Sequence, residues 1–552
     1  MPEDPPDRLP SDAEVKVLSG WKRWLPFYLY KKQSGWKLHI SLPRFGVWLV
    51  FLLILAYVTA GTALFLNDRY RHGLTKVSWF DRIYPPRWEV YRGARGLSFI
   101  EMAEQGISEG NFSAAFHQLR VGLARYPRHR DGRLLLAELY KAAERPELSQ
   151  SVLIDGFKYH ESDLDYQRHV VRFLFSRQAD QEVSRITREL LPQMQPSSPQ
   201  ARFLAISLAN SLYFRGQFDQ AEDVLSDEDL VSTPDGRLLS AKIEWDRGFP
   251  ELALALIQQL ADNFPSNAQI YQTQVRWLVE SGEYDSARRA SLLRRLRFPD
   301  QPQPRIDLLY AYDKTGEDDT VIAEASSLLR DFGENYAVVL QVGDFAANTG
   351  RPDLATAVLN HAGQLEMPVE GPSLMLVESM IVAERYEEAL EIARTTIESN
   401  PDWEERLAPV FNGLRAICYF ALGDREDANL LLNSYLDLEE IRAENLVAVA
   451  ERLVTVGAQR EARIVLEHAV ATDPLNQPAL TRLIELDLSV SNAPSLPQNV
   501  GRLLSMRRSS PEILRKAYDR LGEDKFLFVE NRNELLDALL ASLVGKSTDF
   551  SI

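Results

Sequence analysis

The sequence predicts an all-α chain, a long solenoid of paired helices set behind one membrane-crossing helix. Two observations carry that reading. A glycine-centred turn returns at a fixed interval through the middle of the chain, and an uncharged, apolar run, 45–66, precedes it. A third agrees with both: the charge is divided along the chain. Residues 1–95 hold 15 Lys and Arg against 8 Asp and Glu, whereas 96–552 hold 47 against 71. An acidic body of that size argues against nucleic acid and anionic surfaces as its partners. The basic head suits a place beside a membrane. At 552 residues the chain exceeds one compact domain, so it is repetitive or multi-domain.

The run from Phe45 to Leu66 reads FGVWLVFLLILAYVTAGTALFL. At 1.5 Å per residue it makes ~33 Å of helix, enough to cross a ~30 Å hydrocarbon layer. Gly61-Thr62-Ala63 resembles a signal-peptide cleavage site, but the segment 1–44 that precedes the run is far longer than a signal n-region. A retained anchor is the expectation. Within the head, Trp24 to Tyr30 and Trp36 to Ile40 alternate like two strands around Lys31-Lys32-Gln33-Ser34-Gly35, which predicts a β-hairpin. Its aromatic and basic mix also suits a collar at headgroup level. Lys31, Lys32, Lys37 and Arg44 on one side balance Arg69, Arg71, Lys76 and Arg82 on the other; Lys22 and Arg23 tip the balance. That places the N-terminus in the cytoplasm and the body outside, on the periplasmic side of an inner or plasma membrane.

The body declares itself by self-similarity. Gly110-Asn111-Phe112 leads to Ala115, Gly216-Gln217-Phe218 to Ala221, and Gly282-Glu283-Tyr284 to Ala287. Gly248, Gly282, Gly316 and Gly350 are evenly spaced; the next equal step falls on Glu384, and Gly423 to Gly457 repeats the interval. Proline recurs half an interval after several turns, at Pro127, Pro265, Pro299, Pro401 and Pro474. Glycine supplies the unusual dihedrals of the turn. Alanine marks a close helix approach, and proline stops the second helix.

These features resemble the tetratricopeptide repeat family, whose unit of about 34 residues has the same length as this interval. Phe99, Met102 and Ala103 stand at its large-large-small places, as do Leu136, Ala137 and Tyr140, then Ala416 with Tyr419 and Val449 with Ala450. About eleven units fit between 96 and 476, those near 162–190 and 302–335 poorly. The resemblance implies a right-handed superhelical solenoid of TPR-like helix pairs. It also implies that certain places of each first helix face a partner-binding groove: Asn210 and Tyr213, Lys242 and Trp245, Gln272 and Arg276, Tyr310 and Asp313. The clamp by which some members hold a chaperone's acidic tail is not matched, because Ile100 and Glu104 stand at its places in the first unit.

The predicted organisation is then a basic head over 1–44, a span over 45–66, a linker over 67–95, repeat sub-arrays over 96–191 and 201–476, and a helical cap over 477–552. The proline-rich stretch 192–199 separates the two sub-arrays as a hinge. Leu535, Leu536, Leu539, Leu540 and Leu543 form the apolar stripe of the last helix, expected to seal the array's open end or to dock a partner.

No residue set recommends catalysis, a metal or a cofactor. Gly106-Ile107-Ser108-Glu109-Gly110 matches a nucleophile elbow in letters, but it falls on a turn between helices, without the strand that the elbow needs. The eight histidines lack ligand spacing, and Cys418 reads as a buried thiol. Arg288, Arg289, Arg294, Arg295 and Arg297 form a basic run, an alternative surface for an acidic partner. The expected function is a membrane-tethered, non-catalytic scaffold that binds other proteins in envelope assembly, secretion or polymer export. The alternative is a subunit that positions or regulates a membrane enzyme such as a glycosyltransferase.

Overall fold

Each repeat is built by the same local chemistry. The first helix ends in a left-handed residue, whose turn aims the second helix back along the first. In the computed structural model, which describes residues 26–32, 35–40, 42–403, 407–438, 441–490 and 493–544, that conformation falls on Gly110, Gly216, Gly248, Gly282, Gly316, Gly350, Gly423 and Gly457. It falls also on Glu144, Gln178 and Glu384, with φ of 54°, 54° and 58°. Positions 110, 144 and 178 keep the same step, so the weakly matching stretch near 162–190 is a regular unit whose turn has lost its glycine. Among the described residues there are eleven such turns, each between the two helices of a pair.

The prolines act as stops. Helices Phe112–Arg125, Pro250–Asn263, Tyr284–Arg297, Tyr386–Glu398 and Gln459–Thr472 end two or three residues before Pro127, Pro265, Pro299, Pro401 and Pro474. Side-chain caps open many of the helices. Asn111, Ser198, Thr233, Asn335, Asp424 and Asn476 each accept a hydrogen bond from a first-turn backbone N–H. The post-turn alanines Ala115, Ala221, Ala287 and Ala389 are fully buried, because the paired helices touch there.

The chain forms two compact units, residues 1–170 and 171–552. In the first, strands Phe27–Lys32 and Gly35–Ile40 pair antiparallel, Phe27 opposite Ile40 and Lys32 opposite Gly35. Trp24 and Leu25 of the expected first strand, with Lys22 and Arg23, lie outside the described residues. The apolar helix Leu42–Leu66 follows, long and apolar enough to cross a membrane, and buries only Gly61. It runs into a wider five-residue turn, Asn67–Arg71. There the buried Asp68 accepts a hydrogen bond from the Tyr91 hydroxyl at 2.8 Å and pairs with Arg95 at 3.2 Å. That joint fixes the apolar helix to Trp88–Ser108, the first helix of the array. Burial, reinforced by Asp68, pushes the Tyr91 hydroxyl's pKa up.

In the second unit one apolar core runs without a break from Ile306 to Leu539. Leu535 and Leu539 of the last helix, Arg532–Val544, are buried in it, while Leu540 stays half exposed. The last four helices thus extend the core of the array. The division between units falls at 170/171, inside helix Leu164–Ser176. The proline-rich stretch is a tight turn between the packed helices Asp180–Leu190 and Pro199–Phe214, with Ser197 left-handed at 60°.

Candidate functional site: the inner face of the second unit

First helices of successive units stand side by side, and their aromatic residues pair at the repeat spacing. Trp245 stacks flat on Trp277, centroids 4.8 Å apart and planes 2° apart; Tyr310 meets Phe345 edge-on at 4.9 Å. Arg452, also on a first helix, reaches Asn348 at 2.9 Å and Glu378 at 3.2 Å, 104 and 74 residues away. First helices therefore line one inner face, and distant units meet across it.

Over the later units this face is stitched by its own polar groups. Tyr310 hydrogen-bonds Asp344 at 3.5 Å, and Asp313 accepts from Arg351 at 2.8 Å. Burial next to Asp344 pushes the Tyr310 hydroxyl up to about 12.

Over the earlier units the face holds a cleft of about 530 Å³, lined by Tyr213, Phe214, Trp245, Asp246, Gln477 and residues 507–511. The last of these comes from the connection between helices Leu496–Ser505 and Pro511–Leu521. Arg507 grips the buried Asp180 with two hydrogen bonds, 2.8 and 3.0 Å, and lies 3.9 Å above the Phe214 ring. The Arg508 backbone N–H donates to Phe214 O at 2.9 Å, and its guanidinium packs 4.6 Å from the Phe218 ring. Its stem passes over Gly216, where an added Cβ would come within 2.6 Å of it. Arg215 in turn donates to the Ser505 carbonyl at 2.7 Å, and Gln477 to the Arg507 carbonyl at 2.8 Å. The last helices of the second unit are clasped to the first helices of the same unit.

Beside the clasp lies a half-buried charge cluster. The Tyr213 hydroxyl hydrogen-bonds Asp246, whose carboxyl burial holds above the usual range against the opposing pull of Tyr213, Arg508, Arg276 and Lys242. Burial, then Arg276, lowers the Lys242 ammonium. Gln272 and Arg276 are exposed, Arg276 within 3.8 Å of Glu280. Asn210 turns back onto its own helix, donating to Ile206 O at 2.7 Å.

The eight groove positions read from sequence thus divide by use. Gln272 and Arg276 face open space, Tyr213 and Lys242 border the clasp, Trp245 and Tyr310 pack between units, Asp313 holds Arg351, and Asn210 bonds its own helix. Of the basic run, Arg294 is buried against Asp307 at 2.5 Å, Arg288 pairs with Asp285 and Glu317, and Arg295 pairs with Glu324. Arg289 and Arg297 remain exposed. Asp180, Asp246, Phe214, Gln477, Arg507 and Arg508 escaped the sequence reading. Only Arg507-Arg508, adjacent cations in an acidic body, gave any signal.

Ser108 Oγ donates to the Gln105 carbonyl at 2.7 Å within its own helix. Cys418 is fully buried, which pushes its thiol up to about 12. Among the described residues no three His, Cys, Asp or Glu side chains are grouped to hold a metal ion.

No family model matches the sequence, and no curated protein matches it. Among solved structures, a tetratricopeptide repeat protein from Parabacteroides merdae ATCC 43184 is similar at 15% identity, over 46% of this chain and 98% of its own, with a TM-score of 0.27. The Naa15/Naa10 complex bound to HypK-THB is similar at 13% over 89% and 80%, with a TM-score of 0.27. The APC/C hetero-tetramer Cut9-Hcn1 is similar at 13% over 88% and 88%, with a TM-score of 0.29. At these values the likenesses carry no argument about this chain. The eleven left-handed turns between paired helices establish, within this chain itself, a solenoid of tetratricopeptide-like helix pairs.

Proposed function

We propose that the chain is a membrane-tethered scaffold that holds a segment of another protein on the inner face of its second unit. The carrying observation is the cleft beside Tyr213 and Trp245. One extended segment, 506–510, already lies in it, held by backbone and arginine contacts rather than by a helix-wide groove. A partner segment of the same kind, extended and able to accept hydrogen bonds, fits the open stretch next to it, along Gln272 and Arg276. The apolar helix Leu42–Leu66 supplies the tether, with the N-terminus in the cytoplasm and the array on the exterior side. A role in envelope assembly, secretion or polymer export belongs to this reading.

The test pairs stability with capture. Gln272→Ala and Arg276→Ala should leave the melting temperature unchanged, since both side chains are exposed, and weaken retention of the co-purified partner in detergent. Full retention by the double variant contradicts the groove. Co-purification of an active membrane enzyme, with no structural or secretion component, favours the positioning-subunit alternative.

A further inference from the structure

The chain leaving the apolar helix turns back and lies against it. Helix Trp79–Ile83 is held to Leu42–Leu66 at two levels: Trp79 Nε1 donates to Thr62 Oγ1 at 2.8 Å, and the Tyr57 hydroxyl donates to the Ile83 carbonyl at 2.7 Å. Gly61 makes the approach possible, because a Cβ there would come within 2.5 Å of Ile83 Cδ1. Thr62 lies four residues before Leu66 and Tyr57 nine, so the returning segment sits ~6 to ~14 Å inside the end of the apolar run.

This segment is dressed for a lipid boundary. Trp79, Phe80, Tyr84, Trp88 and Val90 are exposed by 43, 52, 48, 49 and 54%. So dense a set of large apolar side chains on an open surface marks an interaction site. Two of its polar side chains are matched inside the segment. Trp88 Nε1 donates to the Arg82 carbonyl at 3.0 Å, and Arg87 pairs with Asp81 at 2.9 Å while lying 5.5 Å from the Phe80 ring. Amphipathic Trp and Tyr with arginine is the composition of a membrane–water interface. Residues 67–95 carry seven Lys and Arg against three Asp and Glu, which complements anionic headgroups.

We infer that residues 79–90 form an aromatic collar embedded at the headgroup–acyl boundary of an anionic bilayer, and that the collar sets this boundary at the level of Tyr57–Thr62 rather than at Leu66. The inference rests on the tether reading and deepens it. The last turn of the apolar run then stands in the headgroup layer, and the Asp68–Tyr91–Arg95 joint lies just above the surface.

The test uses nitroxide labels on the full-length chain in vesicles of phosphatidylcholine and phosphatidylglycerol. Cys418 is fully buried and takes no label, so Phe80→Cys, Tyr84→Cys, Leu53→Cys and the array-surface control Asp319→Cys can each be labelled alone. Relaxation by oxygen is compared with relaxation by a water-soluble nickel chelate. The collar predicts oxygen-to-nickel ratios at 80 and 84 several-fold above that at 319 and below that at 53. Ratios at 80 and 84 equal to that at 319, with 53 still in lipid, overturn the collar and leave the tether standing. An aqueous label at 53 overturns the tether and the collar with it. Labels at 80 and 84 shielded from both reagents mean a second protein copy covers the segment, which also overturns the lipid assignment.

Discussion

Arg507 and Asp180 are 327 residues apart and form a two-pronged ion pair at 2.8 and 3.0 Å, with Asp180 only 1% exposed. A buried carboxylate that loses its partner cannot recover its hydration, so removing one side of the pair costs more than the pair itself contributes. Arg507→Ala should lower unfolding stability by about 3 kcal/mol. Arg507→Gln combined with Asp180→Asn should recover most of that loss, because no buried charge is left. Chemical denaturation followed by circular dichroism checks both; a silent Arg507→Ala would mean the clasp is not closed in solution.

The turn residues give a sharper test of the repeat. Glu384 holds φ 58° where its neighbours have glycine, and a side chain there carries backbone strain of about 1 kcal/mol. Glu384→Gly should stabilise the array by a few tenths of a kcal/mol, up to about 0.5, after subtracting the cost of glycine's greater freedom in the unfolded chain. Gly282→Ala, at φ 75° with nothing within 4 Å of the added methyl, should destabilise by about 1 kcal/mol through the backbone alone. Shifts of opposite sign in melting temperature are expected; shifts of the same sign would contradict the turn geometry.

His160 links the first unit to pH. Burial, then Arg133, holds its imidazole below the ordinary value of about 6.5, against the weaker pull of Asp163. The folded unit therefore prefers the neutral ring, while the unfolded chain takes up a proton near that ordinary value. The sign follows from linkage: the contribution is complete above about pH 6.5 and is lost as pH falls toward the depressed folded value. Melting temperature should fall across that window, and His160→Phe should flatten the slope.

Cys418 should be silent toward thiol reagents. With its pKa up to about 12 and no exposure, almost no thiolate is available at pH 8. A colorimetric thiol assay should read no reaction in buffer and one thiol per chain in denaturant. Rapid native labelling would mean the helix Ala408–Leu422 opens readily.

What the sequence displays is the local chemistry. Gly248, Gly282, Gly316 and Gly350 announce the period because each turn needs a left-handed residue, and the period alone led to Glu384, where no glycine marks it. The strand alternation of the head was legible for the same reason, since it depends on near neighbours. The clasp was not. Asp180 meets Arg507 and Asp246 meets Arg508 only because the run of repeats between them brings the two ends of the second unit together, and the period that would set that path is lost after Pro474. The aromatic ladder was half legible. Register placed Trp245 and Tyr310 on the inner face, but Trp277 and Phe345, close to one interval further on, were the sign that such rings also pair between units.

The central claim is that a partner segment lies on the inner face beside Gln272 and Arg276. Site-specific photocrosslinking on the full-length chain in its own membrane tests it most directly. A photoreactive residue is placed at Gln272, exposed on a first helix, and separately at Ile322, exposed on a second helix. The account predicts a discrete crosslinked protein from position 272 and none from 322, with the adduct reduced by Arg276→Ala. Equal adducts at the two positions, or an adduct at 322 alone, would contradict it.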